Sequence, residues 1–448
     1  MTLEILGTFG QNVDTSNGDD WVRHRKLTAP CFNERASAIV WREALRQSSI
    51  MIEQWLSSPN GRSNNMTKDT STLALNVISS VAFENMKVNK PTTGHTLSLR
   101  DALVTVMSTS MSPAMEGIMP FLNLPILRLL HPSNVKNLLL AMHEFRQYMD
   151  ETITREQKRS GGGQSKSPTL ISAIIKANDE VKTDSGVTTA TISDTELRGN
   201  IFIFTIGGLE STSITLSYAL ALLAVYPEIQ DWVMDELDNV LNEKVNDGME
   251  YARVFPRLKR VMAVMYETLR LYGPSPPLPR SPFPAKSQSA IPITNTRVQG
   301  GSPSIILPAN TQLMLNLWAS QTSSANFPDP LMWNPKRWIQ LLPLETTKIA
   351  LSDALSAEEL KHPASGSGFF AWGTGPRICP GMRFSQVEFC GVMCNVLKRV
   401  RVETMCEEYE NVEMARQKVV GILMDSCADP LLLHVRRPEK LELRIIER

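Results

Sequence analysis

Long apolar runs at helical spacing dominate this chain, and short alternating runs are confined to its last third. Apolar positions recur every three to four residues over about 37–58, 67–84, 99–116 and 133–158, which predicts four helices. The longest apolar stretch runs from Gly199 to Val225. Its length would allow a membrane span. It carries Glu210, however, and the hydroxyls of Ser211, Thr212, Ser213, Thr215 and Ser217, so it reads better as a buried core helix holding a functional acid. A charged amphipathic helix and a connection follow over 228–260, then a helix over Val261–Tyr272. Residues 291–316, with Gly300-Gly301 between, alternate enough for short strands of a small sheet, and Leu431–Val435 and Leu441–Ile446 add two more candidates. Asn85–Leu97, Ser160–Pro168 and Glu180–Ser193 are polar connections, and Asp425–Pro430 is a turn. Met115–Leu130 is apolar but rich in Met, Pro and Leu, and poorly helical.

Length and composition narrow the class. The 448 residues suffice for one large domain or two to three ordinary ones, and 42% hydrophobic with 21% charged residues fits a globular chain with a sizeable core. Lys plus Arg and Asp plus Glu both number 46, so no charge excess points to nucleic acid. The six cysteines are too few and scattered for a disulfide framework. Cys390 and Cys394 could share a helix face, but no Cys-x-x-Cys pair or nearby His completes a zinc site. The first residues, Met1-Thr2-Leu3-Glu4-Ile5, show neither a signal peptide nor an anchor pattern.

Candidate chemistry concentrates in a few stretches. In Phe369-Phe370-Ala371-Trp372-Gly373-Thr374-Gly375-Pro376-Arg377-Ile378-Cys379-Pro380-Gly381 a lone cysteine sits between a glycine-rich loop and a helix start. Pro380 suits the first helical turn, and Met382, Phe384, Val387, Phe389, Val392, Met393, Val396 and Leu397 continue the period. A helix N-terminus at Cys379 would favour its thiolate. Gly373, Gly375 and Gly381 let the backbone pass close to something flat and bulky, and Arg377 offers a cation. The plainer reading is an inert buried cysteine in a turn. The second stretch, Gly207-Gly208-Leu209-Glu210-Ser211-Thr212, puts two glycines inside a long helix at a cost of about 1 kcal/mol each relative to alanine. Either they serve helix packing beside a solvated Glu, or they open room beside an acid and an alcohol. Trp21 and Arg25 share a helix face, as do Glu267 and Arg270; each pair alone is compatible with an ordinary amphipathic surface.

The stretch around Cys379 resembles the haem-binding loop of the cytochrome P450 family, Phe-x-x-Gly-x-Arg-x-Cys-x-Gly. Trp372, Gly375, Arg377, Cys379 and Gly381 fill that pattern, with Trp372 where the family usually has Phe. Further segments match in the family's order: Trp21-x-x-x-Arg25, the [Ala/Gly]-Gly-x-[Asp/Glu]-Thr groove at Gly207–Ser211, Glu267-x-x-Arg270, and Pro335-Lys336-Arg337-Trp338. The resemblance implies a mainly helical fold with a small, mostly antiparallel β portion, residues 1–448 forming one catalytic domain. It implies haem b (iron protoporphyrin IX), with Cys379 as the axial iron ligand whose electron donation favours O–O cleavage. Trp21, Arg25, Arg280 and Arg377 would hold the propionates. Gly207 and Gly208 would leave room beside the iron, and Gly381 would let the loop pass close to the haem. Glu210 and Ser211, with Thr212 as understudy, would relay protons; serine keeps the hydroxyl of the usual threonine but loses its stiffening methyl. Glu267, Arg270 and Arg337 would form a structural trio, Gly273–Arg280 would line the pocket, and Met115–Leu130 would be a mobile cap.

The implied function is a haem-thiolate monooxygenase that inserts one atom of dioxygen into an apolar organic substrate, such as a terpenoid or polyketide of fungal secondary metabolism. Electrons would come from NADPH–cytochrome P450 reductase at the endoplasmic reticulum membrane. Only twenty residues precede Trp21, so the resemblance implies a missing anchor, hinge and first strands, which keeps a soluble location open. Open alternatives are a family member that isomerises or dehydrates peroxides, an inactive haem binder, and a transporter built round 199–225.

Overall fold

The computed structural model describes residues 6–59, 61–63, 65–83, 90–110, 133–161, 169–185, 191–241, 249–280, 291–293, 305–307, 311–342, 355, 357–364, 366–428 and 432–448. The expected cap at Met115–Leu130, most of Ser160–Pro168, and Gly300-Gly301 lie outside them. The fold is mainly helical with small sheets. In chain order the helices are α1 (Gly18–Thr28), α2 (Glu34–Ser57), α3 (Met66–Phe83), α4 (Leu99–Ser110), α5 (Ser133–Gly161), α6 (Leu170–Ser185) and α7 (Asp194–Val225). They continue with α8 (Pro227–Leu241), α9 (Tyr251–Val254), α10 (Lys259–Tyr272), α11 (Leu317–Gln321), α12 (Met382–Arg399) and α13 (Val412–Met424). The predicted helices form within a few residues of their expected bounds, except that the expected end of the 99–116 helix lies outside the described residues. Helix α6 was not predicted, and it takes Glu180–Ser185 from the expected polar connection because its apolar face packs into the core. Helix α13 had no signal separating it from a strand region.

The strands pair antiparallel throughout. Val400–Thr404, Leu443–Glu447 and Arg62–Ser63 form a three-stranded sheet with Leu443–Glu447 in the centre. Pro277–Arg280 pairs with Leu313–Asn316, and Ile291–Ile293 pairs with Ile305–Leu307.

Helix α7 organises the interior. Ser193 caps it: its hydroxyl accepts from the Glu196 N–H while the Glu196 carboxylate accepts from the Ser193 N–H, satisfying two end donors reciprocally. The helix is apolar all round, as expected of one surrounded by protein. By length and composition it could cross a membrane, yet 83% of its most apolar window is buried inside the fold. Its first half (Leu197–Leu209) packs in one hydrophobic core with α3 to α6, and its second half (Ile214–Val225) in another with α2, α8, α10 and α12. Gly199 lets the segment before α1 lie directly on α7, because a Cβ there would stand 2.4 Å from the Gly10 carbonyl oxygen. Gly391 does the same for α12 on α2, where a Cβ would meet Ala44 at 3.1 Å.

Candidate active site

The cysteine loop is built as the sequence predicts, with one shift. Gly373 (φ 72°) and Gly375 (φ 71°) occupy the left-handed region that disfavours any side chain, which explains glycine at both. The Cys379 N–H donates to the Trp372 carbonyl at 2.9 Å and closes the loop on itself. Helix α12 begins at Met382 with Gly381 at its N-cap. Pro380 was expected inside the first helical turn; it lies in the turn ahead instead, because the chain needs Cys379–Gly381 to swing round before the first helical bond, Ser385 N–H to the Gly381 carbonyl, can form. Trp372 exceeds the family's usual Phe by an N–H, and the fold gives that donor a partner: the indole nitrogen lies 3.0 Å from the Ser385 hydroxyl.

The Cys379 side chain is exposed, and a Cβ at Gly381 would stand 3.8 Å from its sulfur, so glycine leaves that flank open. The thiolate expected from the helix N-terminus does not follow. Although the residue is exposed, the atoms packed close around its sulfur desolvate it; this pushes the Cys379 thiol up and outweighs the N–H groups of Gly381 and Met382 and the positive charge of Arg25, which pull it down. The protein alone leaves this sulfur protonated; a metal ion bound to it would supply the missing positive charge.

Around the cysteine the fold gathers residues from far along the chain. Arg377 stacks its guanidinium over the Trp21 ring, 4.9 Å from the centroid, and donates to the Ser16 carbonyl at 2.6 Å and to Asn17 Oδ1 at 3.0 Å. Arg25, on the same helix as Trp21, is half-buried and acts electrostatically on Cys379. Among the described residues it makes no hydrogen bond or ion pair. Phe32 touches Phe384 of α12 (ring centroids 4.9 Å apart) and Phe204 of α7 (5.1 Å), and also lies beside the open flank at Gly381. Phe204 precedes Gly207 by one turn, so Phe32 joins the cysteine loop to the glycine pair.

On α7 the two glycines separate in role. Gly207 is exposed, with nothing within 4 Å of where a Cβ would stand. Gly208 faces α3, where a Cβ would stand 2.9 Å from the Ile78 side chain. Only Gly207 therefore provides the expected opening; Gly208 is there for helix contact. The Ser211 hydroxyl donates back to the Gly207 carbonyl at 2.6 Å. Thr205, Ser213 and Thr215 make similar bonds to Ile201, Glu210 and Ser211, a pattern that bends helices. Thr212 is buried at 2% exposure, whereas Ser211 and Glu210 are partly accessible. Burial raises the Glu210 carboxyl above its ordinary range, towards the protonated form.

The Glu267–Arg270–Arg337 trio forms as expected. Glu267 and Arg270 are both fully buried and pair at 2.8 Å, and Arg337 reaches the same carboxylate at 2.9 Å. The Trp338 indole N–H and the Asn334 backbone N–H complete its acceptor shell at 2.9 Å each. Arg270 spends its remaining donors on the carbonyls of Gln321, Pro330 and Met332. Arg280 ends its strand opposite Leu313, which fixes its backbone; its side chain is outside the described residues. Cys390 and Cys394 are buried, and no group of three metal-ligating side chains occurs among the described residues.

The cytochrome P450 family model matches residues 2–426. The chain belongs to the cytochrome P450 family. It is 26% identical over its whole length to a cytochrome P450 monooxygenase of Arthrobotrys oligospora, covering 77% of that protein. It is equally similar to a monooxygenase of the phomenoic acid biosynthesis cluster of Leptosphaeria maculans, with 92% of this chain and 71% of that protein aligned. The crystal structure of the cytochrome P450DA heme domain superposes with a TM-score of 0.67 at 18% identity, covering 100% of this chain and 82% of that one. As a P450 this protein is an enzyme of the monooxygenase class, and the family's cofactor is haem.

The residues present fit such a group. A half-buried guanidinium with no anion among the described residues (Arg25), an exposed cysteine (Cys379) and an uncovered helix face (Gly207) suit an acidic, flat, iron-bearing ligand. Sequence reasoning missed Phe32 and a buried polar knot. Asn200 on α7 donates to His24 Nδ1 at 2.8 Å and accepts from the Val13 N–H at 3.0 Å, tying α7 to the helix of Trp21 and Arg25. Its only signal was an amide inside an apolar helix, which says nothing about its partner.

Proposed function

We propose that this P450 is a haem b monooxygenase that oxygenates an apolar organic substrate in fungal secondary metabolism, with residues 1–448 acting as one catalytic domain. Cys379 would be the iron ligand, and Trp21, Arg25, Arg280 and Arg377 would hold the propionates. When bound, haem supplies the activation of dioxygen. Glu210, held towards its protonated form by burial, is the proton store, and the partly accessible Ser211 hydroxyl is the exit of the relay. Gly207 keeps the helix face open beside them, while Gly208 holds that face against α3. Electrons come from NADPH–cytochrome P450 reductase at the endoplasmic reticulum surface, and the biosynthetic-cluster relative supports the pathway class.

The observation that carries this reading is the convergence of Cys379, of Arg25 with Phe32, and of the Gly207 turn from three parts of the chain. The decisive measurement is the reduced, carbon monoxide-bound absorption spectrum. A thiolate-type red-shifted Soret band that disappears in Cys379→Ala is expected. An unshifted band in folded, haem-loaded protein refutes the assignment.

A further inference from the structure

A second concave site lies well away from Cys379. A cavity of about 660 Å³ opens between α13, the strand Val400–Thr404 with the turn after it, and the C-terminal end of α7. That volume is in the range of small-molecule sites, about 300–1,000 Å³. Ala224, fourteen residues beyond Glu210 on α7, is part of its wall, which puts the cavity roughly 20 Å along the helix from the proton relay.

The lining holds both apolar and cationic side chains. Ala224, Pro227, Val402 and Val412 supply the apolar wall. Arg401, Arg416 and Arg444 line it together with Glu403, three guanidiniums to one carboxylate. Arg401 is engaged, by Asp231 and by Glu403. Arg416 is not: its Nε–H is sealed from solvent without a partner, and it makes no hydrogen bond or ion pair with any described residue. A buried donor is ordinarily hydrogen-bonded, so the unmade Nε–H of Arg416 leaves room for an acceptor beside it. Arg444, on the central strand of its sheet, is exposed and stands across from Glu403 in register. Guanidiniums recognise carboxylate and phosphate groups by paired hydrogen bonds.

We propose that this cavity is a second ligand site for an amphiphile with one anionic head, its head held by Arg416 and Arg444 and its apolar body lying against Ala224, Pro227 and Val412. It is separate from the haem chemistry and stands whether or not that assignment does.

Cys406 lines the same cavity and is exposed, which gives a local reporter. The experiment follows alkylation of Cys406 by iodoacetamide in the full chain, using peptide mass spectrometry, with Cys427 on the strand Ser426–Ala428 of a separate sheet as internal reference. Decanoate is expected to slow alkylation of Cys406 at least about fivefold and leave Cys427 unchanged, while decanol, of the same length and neutral, gives no protection. Arg416→Gln is expected to abolish the protection; Arg444→Gln, on an exposed strand position, provides the same reading if the first variant folds poorly. Absence of protection by decanoate, equal protection by decanol, protection by inorganic phosphate alone, or undiminished protection in both variants would overturn the proposal.

Discussion

Ser211 and Thr212 are chain neighbours with different surroundings. Both carry a hydroxyl, and the family pattern alone leaves either as the proton carrier. The fold separates them: Thr212 is buried, and Ser211 is partly accessible and bonded to the Gly207 carbonyl. Ser211→Ala should therefore release more hydrogen peroxide per NADPH consumed, while Thr212→Ala leaves that ratio unchanged; the peroxide yield under turnover checks both. Glu210→Gln should lower turnover by on the order of 10² with little change in substrate affinity, the usual weight of a positioned acid. The glycine pair makes a third contrast. Gly207→Ala meets open space and should raise unfolding stability by about 0.5–1 kcal/mol, yet reduce haem or substrate occupancy because the new methyl stands on the open face. Gly208→Ala should destabilise, since Ile78 must move. Urea unfolding and haem titration separate the two variants. The motif was legible in the sequence. Which glycine opens and which packs was not, because that depends on what lies across from each turn of the helix.

Helix α10 shows why elements are not self-contained. Its N-cap is Leu258, whose side chain cannot cap it. Two of its end donors, the N–H groups of Arg260 and Val261, go instead to Glu236 of α8 at 2.8 and 3.2 Å. Desolvation dominates and pushes the fully buried Glu236 carboxyl up to about 7 despite those bonds. A carboxyl raised in the fold holds its proton there and gives it up on unfolding. Stability is then full below the ordinary carboxylate value and falls as pH rises towards 7. Glu236→Gln should flatten that decline, worth on the order of 2 kcal/mol in wild type, in unfolding curves taken between pH 4.5 and 7.5. At the other end of α10, Glu267→Ala leaves Arg270 buried without its anion, and should cost about 3–5 kcal/mol and most of the haem-loaded yield. The Glu-x-x-Arg spacing was visible in the sequence, and Arg337 was named with it by resemblance. The Glu236 cap was not visible, because a carboxylate on an amphipathic helix reads as solvated until a neighbouring helix covers it.

Across the whole molecule, α7 threads both hydrophobic cores, and Phe32 packs against each of them. Phe32→Ala should therefore loosen the cysteine loop and the glycine turn together. A loss of about 2–3 kcal/mol in unfolding free energy with faster haem release is expected, in line with truncation of a large, partly buried aromatic; stopped-flow haem transfer measures the second effect. By itself the sequence determined most of the long helices, the placement of Cys379 ahead of α12, and the residue types suited to iron, propionates and protons. Periodicity and short motifs are local, and local chemistry selects them. The tertiary structure alone decided that Ser211 is more accessible than Thr212, that Arg25 has no anion among the described residues, that desolvation pushes the Cys379 thiol up against the pull of its helix, and that the Arg416 Nε–H is sealed beside a cavity. Each of these depends on the side chains arriving from elsewhere in the chain and on the water they exclude, and neither is encoded at any one position.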